Sequence, residues 1–235
     1  MKLRWADCWR RAQLHRHGIH VMANPPKVEF PDDDRTSWPC CPTFVGPNPV
    51  VYSGGIGRHI RFELWLLSRF GCELHAFDPT PVALEWVASQ HLPPNFHVHP
   101  VGWSDHDGMQ RLYLPRSPRS ADVTSLPRDR RSCKFIEAPV QRVPTLWEEL
   151  GHSRLDLLKM DIEGGEYAVI RDVVESGVRP SQLWVEFHHN FPLIPFARTR
   201  EAIRRLLAVG YDIAHIRPRG LEFLFLMGSG SWNQI

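Results

Sequence analysis

From residue 50 to residue 227 the chain alternates short apolar runs with amphipathic stretches, and this alternation limits the fold more than any other feature. Apolar runs stand at 50–52, 73–77, 96–101, 155–160, 182–187, 211–216 and 221–227. Between them, residues 60–70, 81–90, 165–176 and 198–209 carry apolar side chains at helical spacing. Strands that alternate with helices form a parallel sheet covered on both faces. The last two runs are joined only by Arg217-Pro218-Arg219-Gly220, too short for a crossover, so they pair antiparallel. The expectation is an α/β fold, with a mostly parallel seven-stranded sheet that ends in an antiparallel hairpin.

With 235 residues and 43% hydrophobic content, the chain can bury one core without dividing. Residues 1–48 read differently, as an N-terminal arm or lid. Pro25-Pro26, Asp32-Asp33-Asp34, Pro39, Pro42 and Pro47 resist regular structure, apart from one short helix near residues 3–16. Residues 49–235 form the main domain. Inside it, residues 115–139 read as an irregular insertion loop containing Arg116, Arg119, Arg128, Arg130 and Arg131, which could recognise an anionic group.

The formal charge of +2 gives no reason to expect nucleic acid or an anionic membrane as a partner. No apolar run approaches the ~20 residues that span a bilayer, and no segment suits a signal peptide. A cytoplasmic protein is expected. Five cysteines without C-x-x-C suggest neither disulfides nor a metal centre, and Cys40-Cys41 read as ordinary thiols.

In open α/β sheets, ligands bind beyond the carboxyl ends of the strands. The first such end is Tyr52-Ser53-Gly54-Gly55-Ile56-Gly57, where glycines let the backbone turn sharply and approach a ligand closely. A dinucleotide fingerprint needs a third glycine, but Ile60 stands there. S-adenosylmethionine has no pyrophosphate and suits the shorter loop. Asp78 ends the next strand and can accept hydrogen bonds from both ribose hydroxyls, because Thr80 can cap the helix after Pro79. After the third strand, Gly102, Trp103 and Ser104 can flank the adenine ring, with Asp105 in reach of its amine. After the fourth, Lys159, Asp161 and Glu163 alternate and share one face if extended. Glu186-Phe187-His188-His189 ends the fifth. Histidine suits proton transfer near neutral pH, and one of His188 and His189 faces the site.

Together these residues resemble the FkbM family of S-adenosylmethionine-dependent methyltransferases. The most specific match is Leu155-Asp156-Leu157-Leu158-Lys159-Met160-Asp161-Ile162-Glu163-Gly164-Gly165-Glu166. The segments Val51-Tyr52-Ser53 with Gly55 and Gly57, Ala76-Phe77-Asp78-Pro79-Thr80 and Val185-Glu186-Phe187-His188 also fit. The resemblance runs from about residue 50 to 227 and leaves the arm outside. It implies a Rossmann-like class I methyltransferase fold and methyl transfer to a hydroxyl of a small molecule, such as a sugar or secondary metabolite. Two positions depart from the family: Gly54 replaces a bulkier residue, and Arg58-His59 lacks the acid often found after the turn.

In the resulting scheme, Tyr52, Ser53, Gly54, Gly55, Gly57, Asp78, Pro79, Gly102, Trp103, Ser104 and Asp161 hold the cofactor. His188 is the base, with Asp161 or Glu163 as alternatives, and Lys159 orients the carboxylates or the acceptor. No metal is expected, although a carboxylate pair with a histidine could hold a divalent cation. The competing readings are a nucleotide-binding module without transfer activity and an NAD-type oxidoreductase.

Overall fold

The computed structural model describes residues 5–31, 37–115, 123–126 and 134–228. The acidic run Asp32-Asp33-Asp34, the insertion arginines and Cys133 lie outside them.

The main sheet contains β1 (Val50–Gly54), β2 (Glu73–Phe77), β3 (Phe96–His99), β7 (Leu157–Met160), β8 (Gln182–Glu186), β9 (Tyr211–Ile216) and β10 (Glu222–Met227). Their spatial order is β3-β2-β1-β7-β8-β10-β9. All neighbouring pairs are parallel except those made by β10, so the sheet and its closing hairpin match the expectation. Chain order runs outward from β1 through β2 and β3, then resumes at β7 on the other side. The carboxyl ends of β1 and β7 therefore flank the switch point, where open sheets bind ligands.

Side chains alternate across this sheet. Tyr52, Leu158, Leu183, Val185, Phe223 and Phe225 face one core with Val169, Ile170 and Val173 of α5 (Glu166–Ser176) and Ile203 and Leu206 of α6 (Phe196–Ala208). Val51, Leu74, Trp184, Leu224 and Leu226 face the other, with Phe62, Leu66 and Leu67 of α2 (Arg61–Phe70) and Val87 of α3 (Pro81–Ala88). Each large side chain so buried contributes roughly 1.5–3 kcal/mol.

The arm is built into both cores. α1 (Trp5–Arg16) supplies Leu14 to the first, and Cys40 and Cys41 enter the second with no exposure. The Gln182 amide satisfies the backbone of Cys41 twice, accepting from its N–H at 2.9 Å and donating to its carbonyl at 3.0 Å. Trp38 meets Trp184 edge to face. The arm thus packs on β8 at Gln182 and Trp184. Burial pushes the Cys40 thiol up to about 12, so it is an inert packing group.

Two boundaries differ from the sequence reading. The third strand stops at His99 because Pro100 has no N–H for the ladder, and residues 102–103 open a second sheet. That sheet, β4-β6-β5, joins β4 (Gly102–Trp103), β5 (Gly108–Tyr113) and β6 (Phe135–Gln141). Residues 135–139, read as loop, are therefore strand: Ala138 and Val140 are buried while Phe135, Glu137 and Pro139 are exposed. Pro139 masked that alternation. α4 (Val143–Glu149) follows and leads to β7.

Candidate active site

A cavity of about 390 Å³ opens at the carboxyl ends of β1, β2 and β7, within the range usual for small-molecule sites. Its floor is the glycine turn. Gly55 has φ +75°, and a Cβ there would lie 1.8 Å from the Asp161 carbonyl oxygen. Only glycine lets the two backbones approach so closely. The Asp161 N–H also donates to the Gly54 carbonyl at 3.1 Å, so the ends of β1 and β7 are tied together beneath the cavity.

Asp78 stands in the cavity lining beside this turn. Its Oδ1 accepts from the Thr80 N–H at 2.9 Å and the Thr80 hydroxyl at 2.6 Å, and its Oδ2 accepts from the Gly57 N–H at 2.9 Å. Thr80 does cap α3, accepting from the Ala83 N–H. A carboxylate has about four acceptor sites, and three are taken, so Asp78 can receive one further hydroxyl rather than both of a ribose. Burial pushes its carboxyl upward, against the hydrogen bonds from Thr80 and Gly57.

Lys159 is buried and paired, though not with the carboxylates expected. Its ammonium lies 3.3 Å from Glu63 and donates to the Gly55 carbonyl at 3.4 Å, with the Trp38 ring 5.7 Å away. Glu63 in turn accepts from Ser53 Oγ at 2.7 Å. The strand ends at Met160, so the alternation that would align Lys159 with Asp161 and Glu163 does not continue. Glu63 was missed from sequence. A carboxylate among Phe62, Leu66 and Leu67 on the buried face of α2 was its signal, and it lines the cavity.

Asp161 and Glu163 line the cavity, and behind them stands His188, 3% exposed. His188 Nε2 lies 3.8 Å from Asp161 Oδ1 and 3.7 Å from Glu163 Oε2, while Nδ1 lies 3.4 Å from Glu166 Oε1. Burial disfavours its charge, but Glu166, Glu163 and Asp161 outweigh burial and push the imidazole up to about 10. The three carboxylates thus favour the imidazolium form of His188, which has no lone pair with which to accept a proton. Glu163 adopts φ +51°, a left-handed conformation that costs a non-glycine residue of order 1–3 kcal/mol. Asp161, Glu186 and His188 also present one ligand atom each within 4.8 Å of one another.

Of the residues expected in the site, Gly54, Gly55, Gly57, Asp78, Pro79, Gly102, Trp103, Lys159, Asp161 and Glu163 line the cavity. Tyr52, Ser53, Ser104 and His188 do not. The Tyr52 hydroxyl bonds His152 at 2.6 Å on the far side of β1, and Ser104 Oγ faces His106 at 3.1 Å. Asp105 pairs with Arg171, away from the cavity. His189 bonds Thr199 and points away too. The cavity gains Ser37 and Trp38 from the arm, and Gln110, Leu112 and Val140 from the second sheet.

The residues present fit S-adenosylmethionine: Gly54, Gly55 and Gly57 line the cavity without side chains, Asp78 keeps one acceptor site, and Phe77 and Trp103 give an apolar wall.

A family model for the methyltransferase FkbM domain matches residues 5–213 and so begins inside the arm, which the motif resemblance left out. Over 145 residues the chain is 27% identical to "Probable methyltransferase-like protein 24" of Homo sapiens and 26% identical to its namesake in Rattus norvegicus. Each match covers 60% of this chain and 33% of the relative, so the chain spans about a third of those proteins. Among solved structures, the methyltransferase FkbM of Methylobacillus flagellatus KT is 14% identical, covering 76% of this chain and 43% of that one at a TM-score of 0.45. Fibrillarin of Aeropyrum pernix, solved with natively bound S-adenosyl-L-methionine, is 12% identical, covering 78% and 66% at a TM-score of 0.43. No helix among the described residues is long and apolar enough to cross a membrane.

Proposed function

The chain belongs to the FkbM family of methyltransferases, and from that premise we propose that it transfers a methyl group from S-adenosylmethionine to a hydroxyl oxygen of a small molecule such as a sugar or secondary metabolite. The observation that carries this reading is the cavity at the glycine turn, whose lining brings together Asp78, bonded to the Gly57 N–H, and the carboxylates of Asp161 and Glu163.

When bound, S-adenosylmethionine supplies an already activated methyl group, so the protein chiefly has to align the acceptor and exclude water. Asp78 would hold the sugar of the cofactor, and the turn its amino-acid end. Glu63, held by Ser53 and Lys159, would face the amino group. Asp161, whose backbone is tied to the cradle through Gly54, would accept the proton of the acceptor hydroxyl. The His188 imidazolium would stabilise Asp161 and Glu163 as anions and position them, in place of the base role expected of it. Trp38 and Ser37 would close the rim from the arm.

Calorimetry with S-adenosylhomocysteine and with NAD, followed by a methyl-transfer assay over hydroxylated acceptors, tests the proposal. Binding of the thioether together with turnover on a hydroxyl supports it. Affinity for NAD alone, or transfer only to nitrogen or carbon, would overturn it.

A further inference from the structure

At the start of β2, where Glu73 lies about 16 Å at strand spacing from Asp78 beyond the strand's other end, imidazole side chains gather around a single carboxylate. Parallel register places His75 of β2 beside His97 of β3, and alternation brings His99 to the same face. His152, in the loop between α4 and β7, reaches them from the other side. Glu73 Oε1 lies 3.2 Å from His75 Nε2, 3.8 Å from His152 Nε2 and 3.8 Å from His97 Nε2.

We propose that Glu73, His75 and His152 form a binding site for a divalent transition-metal ion of the zinc class, separate from the methyl-transfer cavity. These three residues each present one ligand atom within 4.8 Å of the others. A tetrahedral ion with metal–nitrogen bonds of about 2.0–2.1 Å holds its ligand atoms about 3.3 Å apart, close to the spacings found. The outward nitrogens are fixed as well. His75 Nδ1 lies 2.9 Å from His99 Nε2, and His152 Nδ1 lies 2.6 Å from the Tyr52 hydroxyl. Such partners set the tautomer and ring direction of a metal-ligating histidine. They also give Tyr52 a role that the glycine turn does not.

Imidazole and carboxylate donors with no thiolate suit zinc, nickel or copper ahead of magnesium or calcium. Burial grades outward: the side chains of His75 and His152 are 5% and 12% exposed, whereas Glu73 is 48% exposed, so an ion can enter from solvent at Glu73 and keep water as a further ligand. His97 stands at the rim, stacked on His75, as a second acceptor of the ion's water. The ion would pin the start of β2 to the loop that delivers β7 and Asp161.

The test uses the full chain, stripped with chelator and titrated with ZnCl2. One equivalent of Zn²⁺ should bind with a rise in melting temperature. Glu73→Gln and His152→Asn should each abolish that equivalent, with unchanged far-UV circular dichroism. Tyr52→Phe removes only the outer partner of His152 and should weaken binding about 10- to 100-fold. Asp161→Asn should leave it unchanged. Failure of the wild-type chain to bind Zn²⁺, or retention of the ion by both Glu73→Gln and His152→Asn, would overturn the proposal. So would its loss in Asp161→Asn alone, which would put the ion at Asp161, Glu186 and His188. Should the variants misfold, the Co²⁺ form of the wild-type chain decides. Intense visible bands of a four-coordinate ion without thiolate charge transfer support the site, and a weak six-coordinate spectrum overturns it.

Discussion

Gly54 and Trp103 compete for one space: a Cβ built on Gly54 would lie 2.5 Å from Cε3 and Cζ3 of the Trp103 ring. This accounts for glycine at position 54. The indole fills the volume, and it forms part of the apolar wall of the cavity. Gly54→Ala should cost about 1–3 kcal/mol of stability through overpacking, and Trp103→Leu added to it should recover part of that cost. Chemical denaturation of the two variants measures both. A Gly54→Ala chain as stable as the parent would remove the packing argument.

The buried pair of Lys159 and Glu63 should behave as a unit. Lys159→Met leaves the Glu63 carboxylate, 1% exposed, without its cation, which should cost about 3–5 kcal/mol. The double variant Lys159→Met/Glu63→Leu should cost clearly less than the two single changes added together, with a coupling of about 0.5–3 kcal/mol. A double-mutant cycle read by denaturation gives that coupling, and additive costs would show the pair to be incidental.

Asp161 and His188 should separate kinetically. Asp161→Asn should lower turnover about 10²- to 10⁴-fold while S-adenosylhomocysteine affinity changes little. His188→Gln should damage turnover less and shift its pH profile, because it alters the field around Asp161 rather than the proton acceptor. The opposite ranking, in folded variants, would return the base role to His188.

Stability should fall as pH rises. The His188 imidazole titrates near 6.5 when unfolded and about 10 when folded, so the folded state holds its proton more tightly. Its contribution is complete below about pH 6.5 and is lost as pH climbs through 10. Glu186 acts in the same direction at lower pH. Burial, then Asp161, push it from 4.5 to about 8, and its contribution fades between those values. Denaturation midpoints at pH 6, 8 and 10 should decline in the parent and decline less in His188→Gln. A midpoint that rises on alkalinisation would contradict the charge assigned to His188.

Much of the scaffold was legible because its signals are local. Period-2 and period-3.6 patterns follow from where Cβ points in a strand or helix, so the parallel sheet and its closing hairpin could be anticipated from the alternation and the short Arg217-to-Gly220 turn. β6 escaped because Pro139 interrupts its apolar run, and the arm was underestimated because Cys40 and Cys41 give no periodic cue. Their burial depends on Gln182, far along the chain.

The site divides along the same line. Sequence alone determined where the chain must turn and which chemical groups emerge there: the glycines after β1, Asp78 after β2, and Asp161 with Glu163 after β7. A residue's own backbone freedom and charge type are written in its identity. Tertiary structure decided what each group faces, and so what it can do. It gave Lys159 to Glu63, turned Tyr52 toward His152, occupied three of the acceptor sites on Asp78, and surrounded His188 with carboxylates that favour its charged form. Partnership and protonation depend on burial and on charges brought close by distant segments, and electrostatic energy is set by distance in space rather than along the chain.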